Sequence, residues 1–156
     1  MAIIAGTKRN MTQIRSYLSF NGNCLEAMHF YQQALGGELA LQTIGETPMA
    51  EMMPEKMRNC ILHATLVKDD WMLLGSDMVG DQGLIHGNAV SLCLNCSSEE
   101  EIRNSYTRLA DGGRATHPLE NTFWGALFGG LTDKFGNHWL LHFDKSKQPK
   151  PPICEN

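Results

Sequence analysis

Positive charge is scarce in this chain: 13 Lys and Arg stand against 17 Asp and Glu in 156 residues, for a formal net charge of -4, and no basic run occurs. Neutralising phosphates needs clustered cations, so no nucleic-acid partner is expected. Long apolar runs are missing as well. No stretch approaches the roughly 20 residues of a membrane span, so no membrane partner is expected. The apolar run nearest the N-terminus, Ala2-Ile3-Ile4-Ala5, precedes Lys8-Arg9 instead of following it, which is not signal-peptide order and makes a cytoplasmic location the expectation. The five cysteines, Cys24, Cys60, Cys93, Cys96 and Cys154, are odd in number and irregularly spaced, and they read as reduced thiols and not as a disulfide framework. A chain of this length buries roughly 70% of the surface its unfolded form exposes and needs no staples.

What the sequence does have is a loose internal repeat. Tyr31 leads to Gly36-Gly37, and Tyr106, 75 residues later, leads to Gly112-Gly113. Each segment reads as a helix closed by glycine, and each is followed by a strand pair whose last member carries Trp71 or Trp139. The pattern implies two strand-helix-strand-strand-strand units, and concave pockets tend to form where modules meet. Helices followed by antiparallel strands place the chain in the α+β class.

Residues 1–12 read as a flexible tail with Met11 as a possible native start, 13–79 as the first module, 80–87 as a glycine-rich linker, 88–144 as the second module and 145–156 as a C-terminal tail. Strand alternation runs over 14–20, with Ile14, Ser16, Leu18 and Phe20 on one side. Asn23 with Glu26, and Ser97 with Glu100, form capping-box patterns. Cys24, Met28, Tyr31 and Leu35 make the apolar stripe of the first helix, and Ile102, Tyr106 and Leu109 that of the second. Strands follow at 38–44, 60–67 and 71–76 in the first module, and at 88–96, 114–118, 125–132 and 137–143 in the second. Between them, 45–59 holds Pro48, Pro54 and the methionines Met49, Met52, Met53 and Met57, which reads either as an adaptable lid or as one short amphipathic helix.

Asn21-Gly22-Asn23, Phe30-Tyr31-x3-Leu35-Gly36-Gly37, His63-Ala64, Ser76-Asp77, Thr122-Phe123-Trp124-Gly125 and Asp133-Lys134-Phe135-Gly136-x2-Trp139 together resemble the PhnB-like branch of the vicinal oxygen chelate superfamily, which includes glyoxalase I, bleomycin-resistance proteins and extradiol dioxygenases. The resemblance covers about 14–144. It implies two βαβββ modules whose curved mixed sheets surround a ligand cavity, usually in a homodimer whose chains complete each other's cavities. Members of this branch often carry the label 3-demethylubiquinone methyltransferase, although no glycine-rich adenosylmethionine loop of Rossmann type is visible. Fold membership does not fix the reaction.

The superfamily's metal positions, aligned through Phe30-Tyr31, fall at Ser16, near Leu74, at Asn88 and at Leu140. Two leucines, a serine and an asparagine are poor ligands for a divalent ion, so no metal cofactor is expected. Alternation places His138 and His142 on the cavity face of the last strand and His63 with Thr65 on that of the third strand. Three histidines sharing one cavity suggest acid-base chemistry led by His63, the candidate catalytic residue, or a displaced site for one divalent metal ion. The plain alternative is that they are hydrogen-bonded or near solvent. Phe123 and Trp124 read as an aromatic ligand wall or as a core or interface plug. Asp77 either bonds a ligand or ends the fourth strand. Cys93 and Cys96, three apart on a strand, point to opposite faces and make no redox or zinc pair. No role falls to His29, His86 or His117.

The expected function is therefore metal-free binding of a small organic molecule. The alternative is a divalent-metal lyase, isomerase or dioxygenase-like enzyme with histidine ligands.

Overall fold

A computed structural model describes residues 11–147. The first unit runs β1 (Ser16–Ser19), α1 (Cys24–Leu35), β2 (Glu38–Thr43), β3 (Ile61–Lys68) and β4 (Trp71–Ser76). The second runs β5 (Leu92–Asn95), α2 (Glu99–Ala110), β6 (Arg114–Asn121), β7 (Ala126–Thr132) and β8 (His138–Asp144). Each unit makes one four-stranded mixed sheet, ordered β1-β4-β3-β2 and β5-β8-β7-β6, in which only the first pair is parallel. Neither sheet closes on itself. This is the two-module α+β architecture that the repeat implies.

Both helices form where a 3.6-residue stripe is apolar. Cys24, Met28, Tyr31 and Leu35 are all buried, as are Ile102 and Leu109, while Tyr106 is half-buried. Each helix covers its own sheet and touches the other helix, so a single core runs from Ala64, Leu66 and Leu73 through both helices to Leu127, Leu131, Trp139 and Leu141. Both glycine pairs sit where the chain re-enters the sheet. A Cβ on Gly113 would lie 2.3 Å from the Thr132 carbonyl oxygen, and one on Gly37 2.6 Å from that of Val67. Backbone cannot yield as a side chain would. Gly113→Ala is expected to cost about 2 kcal/mol in urea unfolding, from overpacking; a change below about 0.5 kcal/mol would show that the turn relaxes freely.

Several boundaries depart from the sequence reading. The first strand covers only Ser16–Ser19, with Ile14 fully exposed, and the second module's first strand begins at Leu92, leaving Asn88 in an exposed loop. The strand expected at 114–118 continues to Asn121, and Pro118 is tolerated because β6 is a sheet edge. Residues 45–59 form neither one helix nor open coil: short 3-10 turns occupy Ile44–Glu46, Pro48–Glu51 and Glu55–Met57. Bonds from Ile44 N to Cys60 O (2.9 Å) and Gly45 N to Arg58 O (2.8 Å) tie the segment's ends together. The tail expected from 145 begins with one more such turn, Lys145–Lys147. Residues 1–10 and 148–156, including Cys154, lie outside the described residues.

The capping boxes also change. Asn23 makes no side-chain cap, and its place is taken by Asp77, whose Oδ1 accepts from Gly22 N and Cys24 N, both at 2.9 Å. In the second helix the cap shifts by one residue: Ser98 Oγ accepts from Glu101 N at 3.1 Å, and Glu101 Oε2 accepts from Ser97 N at 2.7 Å.

Candidate functional site

Side chains directly opposite one another across a sheet share a face. A Cβ on Gly75 would meet Met28 Sδ at 3.0 Å, which identifies the helix side of the first sheet. Leu18 is the register partner of Gly75, and Ser16 that of Leu73, so Ser16 points toward the helix. This corrects its placement in a sheet-lined site. The residue that shares a face with Leu74 is Tyr17, and the row continues through Thr65 to Ala40. His63 belongs to the same free face, opposite Gln42, with its ring centroid 6.3 Å from that of Tyr17.

The second sheet repeats this arrangement. Trp139, Leu141 and Phe143 face the helix, and the opposite face carries one row of Cys93, Leu140, Gly130 and His117 and a second of Asn95, His142, Phe128 and Glu120. Cys93, not Asn88, is the register partner of Leu140, so Asn88 drops out of the strand-borne site. Alternation alone leaves such slips open, since moving by one residue exchanges the two faces. Tyr17 is hidden for this reason, and Phe128 because the glycines beside it, Gly129 and Gly130, blur the alternation of its strand. His117 was missed because β6 is irregular on both sides of it; its Nε2 lies 3.1 Å from Glu120 Oε1, and its ring packs on Phe128 with centroids 6.1 Å apart.

The three histidines do not converge within the chain. The core lies on the helix side of both sheets, so His63 is on one free face and His142 on the other. His138 is engaged at both ring nitrogens, Nδ1 with Thr132 Oγ1 at 2.9 Å and Nε2 with the Gly87 carbonyl at 3.0 Å, and so fastens the linker to the β7–β8 hairpin. Among the described residues no three His, Cys, Asp or Glu side chains come together as a metal-ligand group. The four positions implied for a superfamily metal, corrected by register, hold Tyr17, Leu74, Cys93 and Leu140. Two isobutyl groups, a phenol and a thiol do not fit a divalent ion.

Asp77 is committed to the backbone. Besides the two N–H groups at the start of α1, its Oδ2 accepts from Ile61 N at 2.8 Å. It ends the fourth strand and caps a helix 53 residues earlier in the chain. Phe123 and Trp124 form an edge-to-face pair, centroids 4.8 Å apart, at the tip of the β6–β7 hairpin. They are 98% and 56% exposed, which rules out a core role within the single chain.

The modules are joined by a second carboxylate. Asp133 Oδ2 accepts from the Tyr31 hydroxyl at 2.6 Å and from Trp139 Nε1 at 2.8 Å, and its Oδ1 accepts from Phe135 N at 2.8 Å and Asn137 N at 3.1 Å. Burial, then the adjacent Asp133 charge, pushes the Tyr31 phenol far above the usual tyrosine range. Burial likewise pushes the Cys24 and Cys96 thiols up to about 12, so neither is a nucleophile near neutral pH. The described cysteines, Cys24, Cys60, Cys93 and Cys96, are all free thiols.

With two mixed sheets, two helices in contact and free faces turned away from a common core, the chain has the glyoxalase/bleomycin-resistance fold. It belongs to the 3-demethylubiquinone-9 3-methyltransferase family, the PhnB-like branch of that superfamily, whose family model matches residues 12–142. Protein YjdN of Escherichia coli K12 is 33% identical over 144 residues, covering 84% of this chain and 95% of that one. The crystal structure of PA1353 from Pseudomonas aeruginosa is 38% identical with a TM-score of 0.76, covering 86% of this chain and 98% of that one. A Bacillus cereus protein described as a putative 3-demethylubiquinone-9 3-methyltransferase, PhnB protein, is 26% identical with a TM-score of 0.65, covering 85% and 99%. No described helix is long and apolar enough to cross a membrane.

Proposed function

We propose that the protein binds a small organic molecule against the free faces of its sheets, in a cytoplasmic homodimer whose two copies close the cavity, without a divalent metal. One observation carries this reading: both helices lie on the same side as the core, which leaves Tyr17, His63 and Leu74 on one open sheet face and Phe128, Leu140 and His142 on the other. Such faces, part aromatic, part aliphatic and studded with a few imidazoles, match the lining of small-molecule sites, apolar with few polar groups. The exposed Phe123–Trp124 tip supplies the kind of aromatic anchor that a second copy covers.

The family's methyltransferase label draws no support from the fold. The turn between β1 and α1, where a dinucleotide-type fold seats an anionic ligand on the helix N-terminus, is filled here by the Asp77 carboxylate. Against the divalent-metal alternative, no donor set forms among the described residues of one chain, since His63 and His142 are on separate faces and His138 is engaged.

Sedimentation equilibrium is expected to give about twice the 17.4 kDa chain mass, and Phe128→Asp to return the monomer. A thermal-shift screen of organic compounds in EDTA is expected to yield ligands whose stabilisation is lost in Phe128→Ala and His63→Leu. A wild-type monomer, or hits indifferent to both substitutions, would overturn the reading.

A further inference from the structure

The two modules form two junctions with each other, and these are not equivalent. The buried stripes Met28, Tyr31 and Leu35 of α1 and Ile102, Ser105 and Leu109 of α2 superpose at an offset of 74, so Tyr31 corresponds to Ser105 and Phe30 to Asn104, while Tyr106 bonds its own sheet through the carbonyls of His117 and Gly130. In register, Leu66 opposite Leu73 corresponds to Leu131 opposite Trp139, which makes Lys68 the counterpart of Asp133. The two hairpin turns differ in length, because seven positions separate Leu66 from Leu73 and eight separate Leu131 from Trp139.

At the first junction, the turn of module two packs against the middle of α1 and the space is full. Phe135 lies edge-on to Phe30 at 5.5 Å and to Tyr31 at 6.1 Å, and Lys134 Nζ sits 4.7 Å from the centre of the Phe30 ring. At the second junction, the turn of module one approaches the middle of α2, and the large rings are missing. Serine stands where Tyr31 would be and asparagine where Phe30 would be, and the shorter turn has no counterpart of Phe135. The result is a groove of about 280 Å³ between Trp71 and Lys68 on one side and Asn104, Ser105 and Arg108 on the other.

We infer that this groove is a second ligand site, distinct from the sheet faces, for a small aromatic carboxylate. The volume vacated is that of an aromatic cluster, and the half-buried Trp71 indole remains as a wall for a planar ring. Its polar rim is mostly donors. Arg108 offers a guanidinium fork suited to a carboxylate. The Lys68 ammonium donates one hydrogen to the Leu35 carbonyl at 2.8 Å and keeps others. The groove's one carboxylate, Glu101, is occupied through Oε2 by the Ser97 amide and hydroxyl. Ser105 is 5% exposed, so its small side chain lines the floor.

The test is titration of ¹⁵N-labelled full-length protein with sodium benzoate and sodium indole-3-acetate, followed at the three tryptophan indole N–H signals, with benzamide as the uncharged control. The Trp71 signal is expected to shift saturably with either carboxylate, those of Trp124 and Trp139 to stay, and benzamide to bind more weakly. Arg108→Gln is expected to weaken binding about tenfold or more by removing a charged pair at an exposed, fold-neutral position. Ser105→Phe refills the cavity with an aromatic ring at the position that Tyr31 holds in the first junction and is expected to abolish the shift with the protein still folded. An unmoved Trp71 signal at millimolar carboxylate, or unchanged affinity in both variants, would overturn the site. Because the sheet faces carry none of these residues, either outcome leaves the sheet-face reading to its own test.

Discussion

Asp133→Ala is expected to be the most damaging single substitution in the protein, costing on the order of 4 kcal/mol in urea unfolding. The Asp133 side chain, 3% exposed, accepts four hydrogen bonds, two from the backbone of its own turn and two from Tyr31 and Trp139. Truncation strands four donors and leaves the Tyr31 hydroxyl only as an acceptor from Asn137 Nδ2 at 2.8 Å. Because Tyr31 belongs to α1 and the turn to module two, the loss also loosens the modules against each other. Asp133→Asn keeps the shape and one acceptor oxygen but presents an NH₂ group to donors, so it is expected to fall between wild type and alanine. A loss below about 1 kcal/mol for Asp133→Ala would mean that water replaces the carboxylate and that the junction is held by its aromatic rings alone.

The second large effect is expected at Asp77, where alanine costs about 3 kcal/mol. Three backbone N–H groups, those of Gly22, Cys24 and Ile61, depend on its two oxygens, and none has a ready substitute. Two belong to the start of α1, so the loss is concentrated there: amide exchange in the first turn of α1 is expected to accelerate more than in α2, which is capped by Ser98. Equal acceleration in both helices would contradict a local capping role.

Both carboxylates show what a linear reading cannot reach. The helical stripes of Cys24, Met28, Tyr31 and Leu35 and of Ile102 and Leu109 were legible because burial of one helix face writes a 3.6-residue period into the sequence. So were the repeat and the resemblance of about 14–144 to a family, carried by turn glycines and aromatic positions. Capping was not, because Asn23 satisfies the local rule while Asp77, 53 residues beyond Cys24, does the bonding. Tyr31 meets Asp133 across 102 residues. Which side of β1 faces the helix was equally hidden, because a four-residue strand with Ser16, Tyr17, Leu18 and Ser19 alternates weakly, and Ser16 fell on the wrong side. Alternation gives His63, His138 and His142 a strand face each but does not say whether the faces of the two modules meet within one chain. Helices packed between the sheets separate His63 from His142. Asn88 was placed in a strand because the turn-rich linker has no sharp end, and pairing with β8 begins only at Leu92.

The most direct test of the central claim, a sheet-face site that works without a divalent ion, is the metal content of the purified, untagged protein by elemental mass spectrometry, with no metal added. Far less than one ion per chain is expected, and no thermal stabilisation when Zn, Ni, Mn or Fe ions are then supplied. About one divalent ion per chain, lost in His63→Ala, would contradict it and make His63 a metal ligand shared across a dimer.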